Sequence, residues 1–210
     1  MTSAIYQKLR LRQPYPIGLN EREAGRFNRL SLKLEYDDVH NEKYRRYGQY
    51  FSLTYQQGLF SLNSDYASKI TELEARYYYR LNALDNFNSR LFAGFAHDTP
   101  FNHPFYEIGS AGTIRGLDNE SFSGTVLLFA NLEYVKRFSR YPSFRGSLFL
   151  DVGNVYNGVN GVDFSDLWTG IGLGLRWKAR SLVKTDLFVD LAYDTDSGNY
   201  KVYGGTSLNF

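Results

Sequence analysis

The sequence predicts an all-β protein, an antiparallel transmembrane β-barrel of about ten strands, with residues 1–210 forming a single domain. Three observations lead to this fold class. Apolar and polar residues alternate with a period of two in segments of about ten residues, aromatic residues gather at the ends of these segments, and turn-forming residues separate several of them. No stretch approaches the roughly 18 consecutive apolar residues that a membrane-spanning helix needs.

The clearest alternation runs from Ile171 to Lys178. Ile, Leu, Leu and Trp fall on one side of this segment, and Gly, Gly, Arg and Lys fall on the other. Successive side chains of a strand point to opposite faces, whereas a helix would scatter these residues around its axis. Between Arg90 and Asp98 the assignment of faces is ambiguous. Four further segments place apolar residues on one face: Leu30, Leu32, Leu34 and Tyr36; Phe51, Leu53 and Tyr55; Leu73, Ala75, Tyr77 and Tyr79; and Leu187, Val189, Leu191 and Tyr193.

Ten strands are predicted from this pattern and from the turn-forming residues between segments. Their ranges are residues 3–13, 26–38, 46–57, 66–82, 86–97, 123–138, 143–156, 165–179, 182–194 and 199–210.

The apolar face of these strands is predicted to contact lipid, and the polar face to line an enclosed lumen. The polar faces carry charges along whole strands, and aromatic residues such as Tyr77, Trp177 and Tyr193 lie at strand ends, where an interfacial girdle would be. The last predicted strand also runs to Phe210. The alternative is a soluble ten-stranded sandwich or lipocalin-like barrel, in which the apolar face would pack inside.

The composition argues against several classes of protein. The net charge is only +2, which does not suit a dedicated nucleic-acid binder. The chain has no Cys, so disulfides, zinc–thiolate sites and cysteine nucleophiles are absent. Residues 1–8 lack the apolar core of a signal peptide, so the chain is expected to be a mature form or a piece of a longer protein.

No enzymatic site, metal site or cofactor is predicted. His97 and His103 flank Asp98, but they are interpreted as solvent-exposed loop residues rather than metal ligands. Asp186, Asp190 and Asp194 recur on one face of a strand, where they are interpreted as a polar lumen wall rather than a catalytic pair.

One long segment, about residues 98–123, interrupts the rhythm of the strands. A loop of this length inside a compact barrel is usually functional. It contains the tetrapeptide Ile114-Arg115-Gly116-Leu117, and five predicted strands follow it.

With this tetrapeptide the sequence resembles the Omp85 superfamily of outer-membrane insertases and secretion pores, which carries a Val/Ile-Arg-Gly-aromatic motif at the tip of a long loop. The family's Phe-x-Asp-x-Gly motif is matched by Phe149, Asp151 and Gly153. The end of the chain is similar to the family's C-terminal assembly signal, through Gly205, Leu208 and Phe210. Two departures are Leu117 in place of an aromatic residue and Gly109-Ser110 in place of a Gly-Gly pair.

The resemblance implies the C-terminal part of a sixteen-stranded barrel, with the long loop folded into the lumen. It further implies an ion pair between Arg115 and Asp151 that holds the loop to the inner wall. The alternation places Asp151 and Glu133 on the inner face, so Glu133 is a candidate second partner. The alternative is that Arg115 is a solvated loop arginine and Asp151 is one of many lumen carboxylates.

The function implied by the resemblance is assistance in inserting proteins into the bacterial outer membrane, or in moving them across it. The expected partners are outer-membrane lipids, unfolded client proteins and the barrel assembly machinery, with self-association possible through open strand edges. Gly204 and Gly205 weaken the pairing of the last strand, which suits a labile seam. The alternatives are a passive pore or membrane anchor for a fused passenger domain and, more remotely, a soluble β-protein that binds a small ligand.

Overall fold

The computed structural model describes residues 4–12, 28–42, 45–62, 64, 67–98, 105–117, 122–178 and 186–206. Two short 3-10 helices, Phe60–Leu62 and Val159–Gly161, lie in loops. Among the described residues no helix is long and apolar enough to span a membrane. The strands of these ranges are β1 (Ala4–Arg12), β2 (Arg29–Asp37), β3 (His40–Glu42), β4 (Arg45–Gly58), β5 (Lys69–Arg80), β6 (Asp85–His97), β7 (Tyr106–Ile108), β8 (Phe122–Gly124), β9 (Val126–Arg137), β10 (Phe144–Tyr156), β11 (Trp168–Lys178), β12 (Asp186–Asp194) and β13 (Tyr200–Gly205).

Ten of these strands form one antiparallel sheet in the order β1-β2-β4-β5-β6-β9-β10-β11-β12-β13. The short β3 pairs with β4, and β7 pairs with β8 as a separate two-stranded sheet between β6 and β9. The all-β antiparallel prediction is therefore confirmed, and the ten strands of the sheet are those that the alternation predicts. Within the described ranges no pairing joins β1 to β13, so these two strands are the edges of the sheet.

The predicted strand at residues 123–138 is wrong in one respect, because it is divided in two. Thr125 leaves the ladder between β8 and β9: its amide donates to the carbonyl of Tyr156 at 2.9 Å, and its own carbonyl accepts from Ala96 at 2.7 Å. These bonds hold the segment against the ends of β6 and β10 instead of continuing the strand. The last predicted strand, 199–210, corresponds to β13, while Leu208 and Phe210 lie outside the described residues.

The two faces of the sheet differ as the alternation predicts. Leu148 and Leu173 on the outer face are 53% and 57% exposed, whereas Asp151 and Asp190 on the inner face are fully buried. Leu91 is 58% exposed, so the ambiguous segment of β6 turns Leu91 outward and Arg90 inward. A soluble sandwich, with leucines inside and carboxylates outside, is incompatible with this arrangement.

The expectation that the inner face is polar along whole strands is wrong at one end of the sheet. There the loop between β6 and β9 brings its own apolar side chains, so the wall beneath it is apolar too. The resulting buried cluster consists of Ile70, Ala96, Leu127 and Phe129 from the wall and Tyr106, Ile108, Ile114 and Leu117 from the loop.

Candidate functional site: the lumen loop and its anchors

The candidate site is the segment at residues 105–117, here called the lumen loop, with the inner wall that it contacts. A tight turn precedes the predicted motif. The hydroxyl oxygen of Thr113 accepts hydrogen bonds from the amides of Gly109 and Ser110, at 3.3 and 3.2 Å, and Gly109 has a positive φ of 105°. This side chain-to-backbone bonding closes the turn locally and directs the chain at Ile114 toward the wall.

Arg115 and Asp151 lie in direct contact inside the sheet. Nε of Arg115 is 2.6 Å from Oδ2 of Asp151, and Nη2 is 2.9 Å from Oδ1, which is a bidentate arrangement. The backbone amide of Arg115 also donates to Oδ2, at 3.1 Å. Phe149 lies on the same face of β10, with its ring centroid 3.5 Å from the guanidinium carbon.

A second carboxylate, Asp190 of β12, also binds Arg115. Nη1 of Arg115 donates to Oδ2 of Asp190 at 3.0 Å. Asp190 also accepts from Arg176 of β11, which reaches Glu133 of β9 as well, at 2.7 Å. Glu133 accepts hydrogen bonds from Arg176 and from Asn88, at 2.7 and 3.4 Å. Its carboxylate also interacts electrostatically with Arg115, so Glu133 belongs to the same network.

We call Arg115, Arg176, Glu133, Asp151 and Asp190 the ion cluster. Each of these residues is at most 2% exposed, and two guanidiniums facing three carboxylates give a formal charge of −1. Buried charges are tolerated when they are paired and hydrogen-bonded. Asn131 of β9 supplies a further donor, to Asp151 at 2.8 Å and to the carbonyl of Thr113 at 2.7 Å.

Glycines provide the space for the loop. A Cβ at Gly170 of β11 would overlap the carbonyl oxygen of Arg115, so the loop backbone lies directly on this strand. Gly116 has a φ of 107°, and a Cβ there would lie 3.1 Å from the amide nitrogen of Asp194. Gly153, the last residue of the Phe-x-Asp-x-Gly motif, faces β9, where a Cβ would overlap the carbonyl oxygen of Leu128. The motif glycine therefore serves strand packing rather than loop contact.

Successive residues of the lumen loop are bound by successive strands of the sheet. In chain order, the contacts are Gly112 with Arg90 of β6, Thr113 with Asn131 of β9, Arg115 with Asp151 of β10 and Asp190 of β12, and Gly116 with Tyr203 of β13.

The apolar part of the loop packs next to the ion cluster. Ile114 is fully buried and Leu117 is 2% exposed, both within the cluster beneath the loop. Tyr106 contacts Glu72 at 3.4 Å, and burial together with this carboxylate raises the pKa of Tyr106, so its hydroxyl remains a protonated donor. Leu117, the residue after Arg115 and Gly116, contributes an aliphatic side chain to this buried cluster.

The sequence-based prediction does not include Asp190 and Arg176 as members of the ion cluster. It also lacks three contacts of the loop, which are Arg90, Asn131 and Tyr203. The alternation already places Asp190 and Arg176 on inner faces, but their partners depend on strand register. Gly205 lies at the end of β13 opposite Phe188, where an added Cβ would overlap the ring of Phe188. The side chain of His97 is 82% exposed, His103 lies outside the described residues, and no group of three metal-binding side chains occurs in the part of the chain that is described.

Comparison with known proteins identifies the family. The solved structure of BamA from Haemophilus ducreyi, lacking POTRA domains 1–3, superposes with a TM-score of 0.69 at 15% sequence identity. The match covers 91% of this chain and 46% of that one, so the chain spans about half the length of that structure. A search of curated protein sequences found no significant match. The sequence pattern of the Omp85 superfamily domain matches residues 4–181, and the chain therefore belongs to the Omp85 superfamily and is a β-barrel protein of the bacterial outer membrane.

Proposed function

We propose that this barrel assists the insertion of other proteins into the outer membrane, or their passage across it. The observation that carries the proposal is the edge strand β13. Among the described residues it pairs with β12 at six positions and has no partner on its other side. The backbone donors and acceptors along such an edge can bind an incoming extended strand.

The sequence of β13 supports a weak hold on its neighbour. Gly204 and Gly205 occupy its last two positions, and glycine lowers the stability of a strand because it has no side chain to pack. Tyr200 and Val202 point outward and are 69% and 70% exposed. Over the described residues, a six-residue strand with two glycines separates more readily from its neighbour than the nine- to fourteen-residue strands of the same sheet.

A passive, permanently open pore is less well supported. The ion cluster and the apolar cluster lie between the inner wall and the lumen loop, where an open channel would need water. We expect no enzymatic activity from this barrel. Unfolded outer-membrane or secreted proteins are the proposed clients. The other proposed partners are outer-membrane lipids and, while the barrel itself is being assembled, the barrel assembly machinery.

The experiment compares lipid vesicles with and without the full-length protein, to which a urea-unfolded eight-stranded outer-membrane protein is added. Folding of the client is followed by its heat-modifiable migration on gels. Vesicles with the protein should fold the client several-fold faster. Failure to accelerate folding would contradict the proposal. Single-channel conductance would then support a passive pore, and its absence would support a membrane anchor.

A variant of the edge strand tests whether β13 is responsible. The variant is Gly204→Val. Gly204 faces outward, and an added Cβ would lie 3.7 Å from the nearest atom, an ordinary van der Waals distance. Valine favours the strand and should strengthen pairing with β12, which should reduce the acceleration of client folding. The control is Gly161→Val, in a loop where an added Cβ meets nothing within 4 Å. Equal acceleration by both variants would remove β13 from the mechanism.

A further inference from the structure

We infer that Tyr203 is a positioning residue that couples the lumen loop to the edge strand, so that β13 is held from the inside whenever the loop is docked. This inference rests on the proposed function for its purpose, but its geometry is independent of that function. Tyr203 lies on the inward face of β13, opposite in phase to the exposed Tyr200 and Val202.

The hydroxyl of Tyr203 binds two consecutive residues of the lumen loop. It accepts a hydrogen bond from the amide of Gly116 at 3.0 Å and donates to the carbonyl of Leu117 at 3.4 Å. A phenol can act as donor and acceptor at once. The loop thus offers its backbone, rather than a replaceable side chain, to the strand.

The backbone of the loop can reach Tyr203 because of Gly116. Its φ of 107° is in the region that favours glycine, and an added Cβ would lie 3.1 Å from the amide nitrogen of Asp194 and 3.2 Å from the carbonyl carbon of Tyr193. The loop therefore passes close to the end of β12, beside β13. This explains within one structure why an arginine and a glycine are adjacent: Arg115 turns into the ion cluster and Gly116 turns toward the edge strand.

The coupling follows from the shared backbone of these two residues. Arg115 is fixed to Asp151 and Asp190, and Gly116, the next residue, is bound by Tyr203. Tyr203 gives β13 an attachment that does not run through the ladder with β12. Undocking of the loop would remove this attachment, and the edge would then be held only by its other contacts, chiefly six ladder positions.

The test measures amide hydrogen exchange of residues 201–205 in the full-length protein in lipid nanodiscs. Tyr203→Phe removes only the hydroxyl, and the matched control is Tyr200→Phe on the outward face of the same strand. Exchange in β13 should rise about tenfold in Tyr203→Phe, the factor that corresponds to about 1.4 kcal/mol for lost hydrogen bonds. Tyr200→Phe should behave as the wild type. Unchanged heat-modifiable migration of all variants would establish that the barrel is folded.

A double variant separates coupling from a local loss of packing. Arg115→Ala should also accelerate exchange in β13, and adding Tyr203→Phe to it should cause little further change, because both act through the same docked loop. Fully additive effects, or equal exchange in the two tyrosine variants, would overturn the inference. If the exchange results are as expected but the protein never accelerates client folding, the coupling stands and the proposed function fails.

Discussion

At the scale of single residues, the arrangement depends on the shape of one guanidinium. Arg115 presents Nε and Nη2 to Asp151 and Nη1 to Asp190, which bridges β10 and β12 with one side chain. A planar fork with five donors can do this, whereas an ammonium group is a point charge on a flexible stem. The contact therefore selects arginine by geometry and not by charge alone.

Arg115→Lys should consequently be a severe substitution although it keeps the charge. At least one of the two buried carboxylates would lose its contact with residue 115, and breaking a buried pair typically costs about 3–5 kcal/mol. The free energy of unfolding in urea, measured in lipid vesicles, should fall by about this amount, and protease should cut the lumen loop. Arg140→Lys, at an exposed turn position, is the control. Equal unfolding curves for the two variants would argue that Arg115 is solvated.

Part of this site can be predicted from the sequence and the rest cannot, for a physical reason. Period-two alternation assigns Asp151, Glu133 and Asp190 to inner faces because the side chains of a strand must alternate. Which carboxylate meets Arg115 depends on the register of strands that are up to 75 residues away along the chain. Alternation leaves register open by steps of two residues, so Asp190 could not be chosen over Glu133 from the pattern.

At the scale of elements, strand β11 is the surface on which the loop rests. Between Trp168 and Arg176 its inner face carries Gly170, Gly172 and Gly174, three alternate positions without side chains. A Cβ at Gly172 would overlap the ring of Phe149, and a Cβ at Gly174 would overlap Asp190 and Arg176. The alternation of glycine with leucine in the sequence is therefore both a strand signal and a recess for the loop and the ion cluster.

Gly170→Ala should displace the lumen loop without disrupting strand β11. The added methyl group would overlap the carbonyl oxygen of Arg115, which belongs to the backbone and cannot rotate away. Overpacking of this kind costs about 1–3 kcal/mol. Limited proteolysis should show cleavage within residues 105–117, while circular dichroism keeps its β signal. Gly204→Ala, where an added Cβ has room, should leave the loop protected, and protection in both variants would contradict the close approach.

Long and short elements differ in how well the sequence predicts them. The ten strands of the sheet have six to fourteen residues, and all but the short β13 hold enough alternations to define a period. Strands β3, β7 and β8 have three residues each, and three residues define no period. The break at Thr125 depends on hydrogen bonds to β6 and β10, which are contacts between distant parts of the chain.

At the scale of the whole molecule, the two edges of the sheet set a constraint. A lipid-exposed strand edge leaves backbone groups without hydrogen bonds, and each such group costs several kcal/mol in hydrocarbon. In the membrane, β1 and β13 must therefore be covered by each other, by further strands or by another copy of the chain. Reversible covering of β13 is what the proposed function requires, because a client strand would replace whatever covers it.

The orientation of the whole sheet can be tested with two arginine substitutions, one on each face. Leu173 is at the middle of β11 on the outer face and is 57% exposed, so it should lie near the bilayer midplane. Leu173→Arg should lower the free energy of unfolding in vesicles by about 2–4 kcal/mol, the cost of a lipid-facing arginine at that depth. Thr54→Arg places the same charge on the inner face of β4, in register with Glu72, and should cost less than about 1 kcal/mol. The reverse order of the two costs would mean that the leucine face is enclosed and the charged face is outside, and the barrel assignment would then be wrong.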